Sequence, residues 1–231
     1  MNIIKSDAFV IKSLKYRDTS KIVTLFSSEF GKFNALVKGA RNIKSNFRGS
    51  LDSISLVSII LNKKEQRELQ VIRNSEVSNP YWNIKSNFNK LSLAYELVSL
   101  VHSGIHFYDK NLATFTLMKN IFDHLDSEQE CNLNVVKLFF KLGFLKALGF
   151  QITDTANVNE TFLNKIEFKL NRVQLDIVNK LQHSQFDLSN EMELADAHLK
   201  VINDYLDIIL DELSLNKSNR RTKLILDSMA N

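Results

Sequence analysis

The sequence predicts an α+β protein, with a small all-β unit (barrel or sandwich) followed by an α-helical bundle. Three observations carry this. Residues 1–80 are short apolar runs separated by polar punctuation. Pro80, the only proline, closes that region. Beyond it the apolar period lengthens to that of helices. Two candidate domains follow, 1–80 and 81–231.

Five strands are expected, at 8–16 (AFVIKSLKY), 21–28 (KIVTLFSS), 32–39 (KFNALVKG), 54–62 (ISLVSIILN) and 68–77 (ELQVIRNSEV). In the third, Phe33, Ala35 and Val37 fall on one face and Asn34 and Lys38 on the other. Leu36 breaks the alternation. Gly31 stands where the turn before it needs a tight reversal. Five strands in about 70 residues with no long helix among them suit a small barrel or sandwich.

After Pro80, Ile84, Phe88, Leu91, Tyr95, Val98, His102 and Ile105 step by three and four, predicting one long amphipathic helix. A second helix is expected over 111–125. A third, over 133–148, is apolar almost all round (VVKLFFKLGFLKAL) and so belongs at the centre of a bundle. Leu199, Ile202, Leu206, Ile209 and Leu213 mark another helix, and a short last one is expected over 220–229. Residues 150–190 mix both periods and predict neither.

Composition excludes several classes. Apolar residues make up 44% and charged residues 24% of the 231, as in ordinary globular proteins. One cysteine, Cys131, leaves no disulfide framework and no multi-cysteine metal site, and it suits a reducing cytoplasm. No secretory signal and no membrane span are expected. The six glycines include no phosphate-binding P-loop and no G-x-G-x-x-G, so no nucleotide cofactor is expected.

Side chains that could do chemistry are few. His102 and His106 are four apart but lack a third ligand, and read as structural or surface groups. Cys131 reads as a small buried hydrophobe. Asp204, Asp207 and Asp211 read as a solvated helix face. Nothing forms a catalytic constellation, and the chain is read as a binding protein and not an enzyme.

Charge is more informative. The net charge is +4, but residues 1–80 hold 14 Lys/Arg against 7 Asp/Glu, and residues 1–50 hold 10 against 3. Such asymmetry suits a polyanionic partner. The richest stretch, Lys38 to Gly49, holds Lys38, Arg41, Lys44 and Arg48 with no acid among them. Gly39 and Gly49 bracket it, and Ser45 and Asn46 could bind phosphate oxygens. Lys and Arg neutralise phosphates and release counterions. Phe47 could stack on a base or fill the barrel. A second basic group, Lys217, Arg220, Arg221 and Lys223, opens the last expected helix.

These residues resemble a known family. Thr19-Ser20-Lys21-Ile22-Val23-Thr24-Leu25-Phe26, then Gly31-Lys32, Lys38-Gly39-Ala40-Arg41, Lys44-Ser45 and Phe47-Arg48-Gly49 are similar to the N-terminal domain of the bacterial recombination mediator family RecO. Phe139-Phe140-Lys141-Leu142 with Leu148-Gly149-Phe150 resembles its central helix, and Tyr205-Leu206 with Lys217-Ser218 and Arg220-Arg221 its closing helices. The resemblance implies an OB-fold barrel followed by a helical bundle. It implies binding of single- and double-stranded DNA in the bacterial cytoplasm, at the nucleoid. It also implies strand annealing and, with RecR, help in loading RecA onto DNA coated by single-strand-binding protein.

The DNA-binding candidates are Lys21, Lys38, Arg41, Lys44, Phe47 and Arg48. For the acidic C-terminal tail of single-strand-binding protein, Lys137 and Lys141 beside Phe140 and Phe144 are the candidate groove. Many family members carry a four-cysteine zinc module after the Leu-Gly-Phe segment. No cysteine follows Phe150 here, so no structural zinc is expected. A different reading of the same barrel is an RNA-binding or ribosome-associated adaptor.

Overall fold

The fold was analysed in a computed structural model that describes residues 2–42, 45–47, 50–63, 67–127, 131–150, 152, 170–183, 195–213 and 215. Five strands form first: β1 (Asn2–Tyr16), β2 (Ser20–Ser27), β3 (Gly31–Val37), β4 (Leu56–Lys63) and β5 (Leu69–Asn79). They close in the order β1-β2-β3-β5-β4, with β4 returning to β1. The β3–β5 pair is parallel and the other four are antiparallel. This is the OB-fold barrel that the resemblance implies.

β1 makes closure possible. Its first half pairs with β4 (Asn2 to Phe9) and its second half with β2 (Ala8 to Tyr16). The register slips between Val10 and Lys12, a bulge that bends the strand from one neighbour to the other. The polar Lys5 and Asp7 had hidden the first half of β1 from the apolar pattern.

The same strand explains how the two regions share apolar material. Ala8 and Val10 point into the barrel with Val23, Leu25, Phe33, Ala35, Val37, Val57 and Ile59. Phe9 and Ile11 point outward and join the helical core with Phe26, Ile54 and Leu56. β1 and β2 are therefore covered on both faces, which is why they read as continuous apolar runs. Phe9 meets Tyr81, Phe115 and Phe122 at ring-centroid distances of 6.2, 5.3 and 5.5 Å. Each such pair adds about 0.5–1.5 kcal/mol beyond area burial.

The helices are α1 (Trp82–Ser86), α2 (Phe88–Gly104), α3 (Leu112–Asp126), α4 (Leu133–Ala147), α5 (Arg172–His183) and α6 (Asp196–Glu212). The single helix expected from Ile84 to Ile105 is broken at Asn87. The Asn87 side chain accepts from the backbone N–H groups of Asn89 and Lys90 at 3.0 and 3.1 Å, capping α2. The apolar stripe kept phase across that cap and concealed it. The face α2 buries is Leu93, Ala94, Leu97, Val98, Leu100 and Val101, whereas Phe88 and Tyr95 of the expected stripe are exposed.

α4 is central, as its composition predicts, and packs against α2, α3, α5 and α6. α5 lies in the stretch that the periodicity left unassigned. Asn171 and Gln174 form a reciprocal capping box: the Gln174 N–H donates to Asn171 Oδ1 (3.0 Å) and the Asn171 N–H to Gln174 Oε1 (2.8 Å). α6 buries Leu199, Ile202, Leu206 and Ile209 as expected. The helix expected over 220–229 lies outside the described residues.

The loop after α2 clamps the barrel. The Tyr108 N–H donates to the Lys32 carbonyl at 2.7 Å, and the Tyr108 hydroxyl donates to the carbonyl of Glu68 at 3.0 Å. Gly31 sits beneath this loop with φ +67°, and a Cβ there would lie 1.9 Å from the Asp109 carbonyl oxygen. Lys32 is buried. Its ammonium donates to the His102 carbonyl and lies 4.7 Å from the centroid of the Phe107 ring.

Candidate nucleic-acid interface

One end of the barrel gathers cations from three strands. The register sets Lys15 opposite Lys21 and Lys21 opposite Val37, so Lys38 follows directly. Gly39 turns the chain with φ +70°, and its carbonyl accepts from the Asn42 N–H at 3.1 Å. Ala40 is buried and holds the turn down. The chain then crosses to the β1–β2 turn. The Arg41 N–H donates to the Thr19 carbonyl at 2.9 Å, and Arg41 Nη1 donates to the Arg17 carbonyl at 3.1 Å.

Arg17 itself has φ 50°, and its guanidinium lies over the Tyr16 ring, 5.3 Å from the centroid. Lys15, Arg17, Lys38 and Arg41 are all exposed. Arg41 has donors to spare after one carbonyl bond, since a guanidinium carries five. Lys38 and Arg41 have no acidic partner among the described residues. Arg17 was not among the sequence candidates. It comes beside Arg41 through pairing of distant segments, which no local pattern announces.

The other candidates are placed differently. Lys21 is half-buried and bound to Asp52 at 3.0 Å. Phe47 packs partly buried against the barrel core. Its N–H donates to Ser45 Oγ at 3.1 Å and its carbonyl accepts from Ser50 Oγ at 3.1 Å. Ser50 Oγ in turn lies 2.7 Å from Ser75 Oγ on β5. Phe47 thus anchors the loop to the barrel. Lys44, Arg48 and Gly49 lie outside the described residues, as do Lys217, Arg220, Arg221 and Lys223.

The groove expected for an acidic tail is not assembled by its four side chains. Phe140 and Phe144 are 0% exposed and stack on each other within the helical core, with centroids 5.8 Å apart. Lys141 is also 0% exposed, and its ammonium binds Asp207 at 2.7 Å. Burial pushes the Lys141 ammonium below the usual lysine range, with Lys137 adding to the fall and Asp207 opposing it. Lys137 is bound to Glu96 at 2.7 Å. α4 is apolar on nearly every side, so its aromatics are taken up by neighbouring helices. Asp207, which its helix period placed on a solvated face, is half-buried and bound to Lys141.

His106 is exposed and His102 half-buried. Among the described residues no group of three or more His, Cys, Asp or Glu could hold a metal ion. Most of the segment where a zinc module would fall (151 and 153–169) lies outside the described residues. Cys131 is half-buried against the helical core. Among the described residues no helix is long and apolar enough to cross a membrane.

These features define an OB-fold protein with a helical C-terminal part packed on the outer face of its barrel. Residues 1–81 match the family described as recombination protein O, N terminal. The chain is 33% identical over 149 residues to the DNA repair protein RecO of Chlorobium limicola, covering 64% of this chain and 57% of that one. It is 30% identical over 151 residues to the RecO of Pelodictyon phaeoclathratiforme, again covering 57% of that protein. With the RecO of Alkaliphilus metalliredigens the identity is 24%, over 93% of this chain and 96% of the relative. The chain is similar to RecO proteins, and its residues 1–81 to their N-terminal domain. The matched segment spans little more than half the length of the first two relatives.

Proposed function

We propose that this protein acts in DNA repair and recombination by binding DNA at the cation-bearing end of its barrel. The observation that carries the reading is the Arg41–Arg17 contact, which joins the β3–β4 connection to the β1–β2 turn. That contact turns two separate basic segments into one exposed surface of Lys15, Arg17, Lys38 and Arg41. Lys21 adjoins it, and Phe47 secures the β3–β4 connection to the barrel. A surface of side-chain cations reads phosphate spacing and little sequence. Single and double strands both satisfy it.

Such a surface would anneal complementary strands without covalent chemistry. Two polyanions brought together in water repel each other, and each bound cation removes part of that repulsion. The protein would then act as a mediator with RecR, helping RecA onto DNA coated by single-strand-binding protein and contacting that protein's acidic C-terminal tail. The similarity to proteins named as DNA repair proteins supports this wider role.

An annealing assay tests it. Complementary strands coated with single-strand-binding protein are mixed with this protein, with and without RecR. The expected result is faster annealing with the wild type and a loss of most of that acceleration in Lys38→Ala/Arg41→Ala. Competition between DNA and RNA strands of equal length separates a DNA protein from an RNA adaptor. Preference for RNA, or wild-type annealing by the double variant, overturns the reading.

A further inference from the structure

Trp82 is the only tryptophan of the chain, and 70% of it is exposed. It has the highest exposure among the large hydrophobic side chains described. Its position is fixed from both sides. Tyr81, the residue before it, is fully buried, stacks on Phe9, and donates its hydroxyl to Asp123 Oδ1 at 3.1 Å. Burial and that carboxylate push the Tyr81 hydroxyl well above the usual phenol range, so it stays a donor. The residues after it are held by Asp126, whose Oδ1 accepts from the N–H groups of Asn83 and Ile84 at 2.9 and 3.2 Å. Tyr81 takes the inward position and Trp82 is turned out on a pinned backbone.

One cation packs on the indole, within reach of the Asp126 carboxylate. Lys85 lies over the ring, 5.4 Å from its centroid, and donates to Ser55 Oγ at 2.8 Å. Ser55 ends the same β3–β4 connection that begins with Lys38 and carries Asp52. Asp52 in turn binds Lys21 at 3.0 Å and is close enough to bias the Lys85 ammonium. The β3–β4 connection therefore leads from Lys38 and Arg41, past the Lys21–Asp52 pair, to Ser55 and the Lys85–Trp82 contact.

We propose that Trp82, with Lys85 beside it, is a stacking platform for a base of single-stranded DNA leaving the barrel surface. This rests on the DNA-binding reading above and adds to it a site in the helical region. An exposed ring held on a rigid backbone loses little entropy when a base stacks on it. The Lys85 ammonium sits over one face of the ring, which leaves the opposite face to the base and a cation close by for the phosphate that accompanies it. An acidic protein partner would use the cations but would leave the flat open face of the ring unfilled. Paired bases in a duplex have no free face to offer, so the site distinguishes single from double strands where the barrel surface does not.

Because Trp82 is unique, its own fluorescence reports the contact. The wild-type protein is titrated with oligo-dT and with an abasic oligonucleotide of the same length, binding being followed separately by anisotropy of a label on the strand. Oligo-dT is expected to quench the tryptophan strongly and the abasic strand to bind with little quenching. Trp82→Ala is expected to weaken oligo-dT binding about tenfold and leave abasic binding unchanged, with Trp82→Phe recovering most of the loss. Equal quenching by both strands, or wild-type oligo-dT affinity in Trp82→Ala, overturns the platform and leaves the barrel reading intact. If neither strand binds the wild-type protein, the barrel reading has failed and the platform with it.

Discussion

The Lys21 ammonium lies 3.0 Å from an Asp52 carboxylate oxygen, so a cation of the candidate DNA surface is already occupied by an acid of the same chain. Asp52 is itself well exposed. A phosphate approaching Lys21 must displace that carboxylate. An exposed ion pair of this kind is worth about 0.2–1 kcal/mol, and tenfold in affinity is about 1.4 kcal/mol. Asp52→Asn is therefore expected to tighten single-stranded DNA binding by about two- to fivefold at low salt, measured by anisotropy. Unchanged or weaker binding would place Lys21 outside the DNA path.

The clamp over Gly31 predicts a stability effect with no effect on surface charge. Alanine there has to adopt φ +67° with its Cβ 1.9 Å from a backbone oxygen. Left-handed backbone costs about 1–2 kcal/mol and overpacking about 1–3 kcal/mol. Gly31→Ala is expected to lower stability by about 2–5 kcal/mol in urea unfolding. A change under 0.5 kcal/mol, on the order of an ordinary surface substitution, would show that the His106–Lys110 loop does not dock there.

The Lys141–Asp207 pair makes an asymmetric prediction. Lys141 is enclosed, while Asp207 keeps about a third of its side-chain surface in water at 35% exposure. Removing the carboxylate strands a buried ammonium, which costs about 2–3 kcal/mol at the lower end of such cases because Asp207 is partly solvated. Replacing the lysine by an apolar chain of similar length leaves only a solvent-reachable acid. Asp207→Ala is expected to destabilise clearly more than Lys141→Met in urea unfolding. The reverse order would contradict the burial of Lys141.

His102 supplies a pH dependence. Burial lowers its pKa in the folded protein, and the nearby Lys32 and Lys12 lower it further, from an ordinary value of 6.5. Below that value the unfolded chain takes up the proton and the folded chain resists it. Stability is thus full above about pH 6.5 and falls as the pH drops through it, by at most about 1.4 kcal/mol per pH unit. Urea unfolding at pH 7.5 and 5.5 is expected to show a larger loss for wild type than for His102→Gln. Equal losses would remove His102 from the account.

Much of the barrel was legible because half-buried strands advertise themselves by alternation. Phe33, Ala35 and Val37 inward with Asn34 on the other face is what β3 does, and Lys38 follows its end, exposed. What escaped was non-local or hidden by phase. Phe9 and Val10 are neighbours in one apolar run yet belong to different cores. Asn87 caps a helix inside an unbroken stripe, and only the cap chemistry betrays it. The basic stretch from Lys38 was visible from charge alone, but Arg17 and Asp52 joined it only through pairing across the barrel. Phe140, Lys141 and Phe144 looked like a greasy, cation-edged groove because helix α4 offers no polar face by which to tell inside from outside.

The salt dependence of single-stranded DNA binding is the sharpest test of a DNA surface formed by Lys38 and Arg41. Each phosphate neutralised on a single strand contributes about 0.7 to the slope of log affinity against log salt. Lys38→Ala/Arg41→Ala is expected to weaken binding and to reduce that slope by about 1.4, with the unfolding midpoint unchanged. Wild-type affinity and an unaltered slope in this double variant would contradict a DNA surface at this end of the barrel.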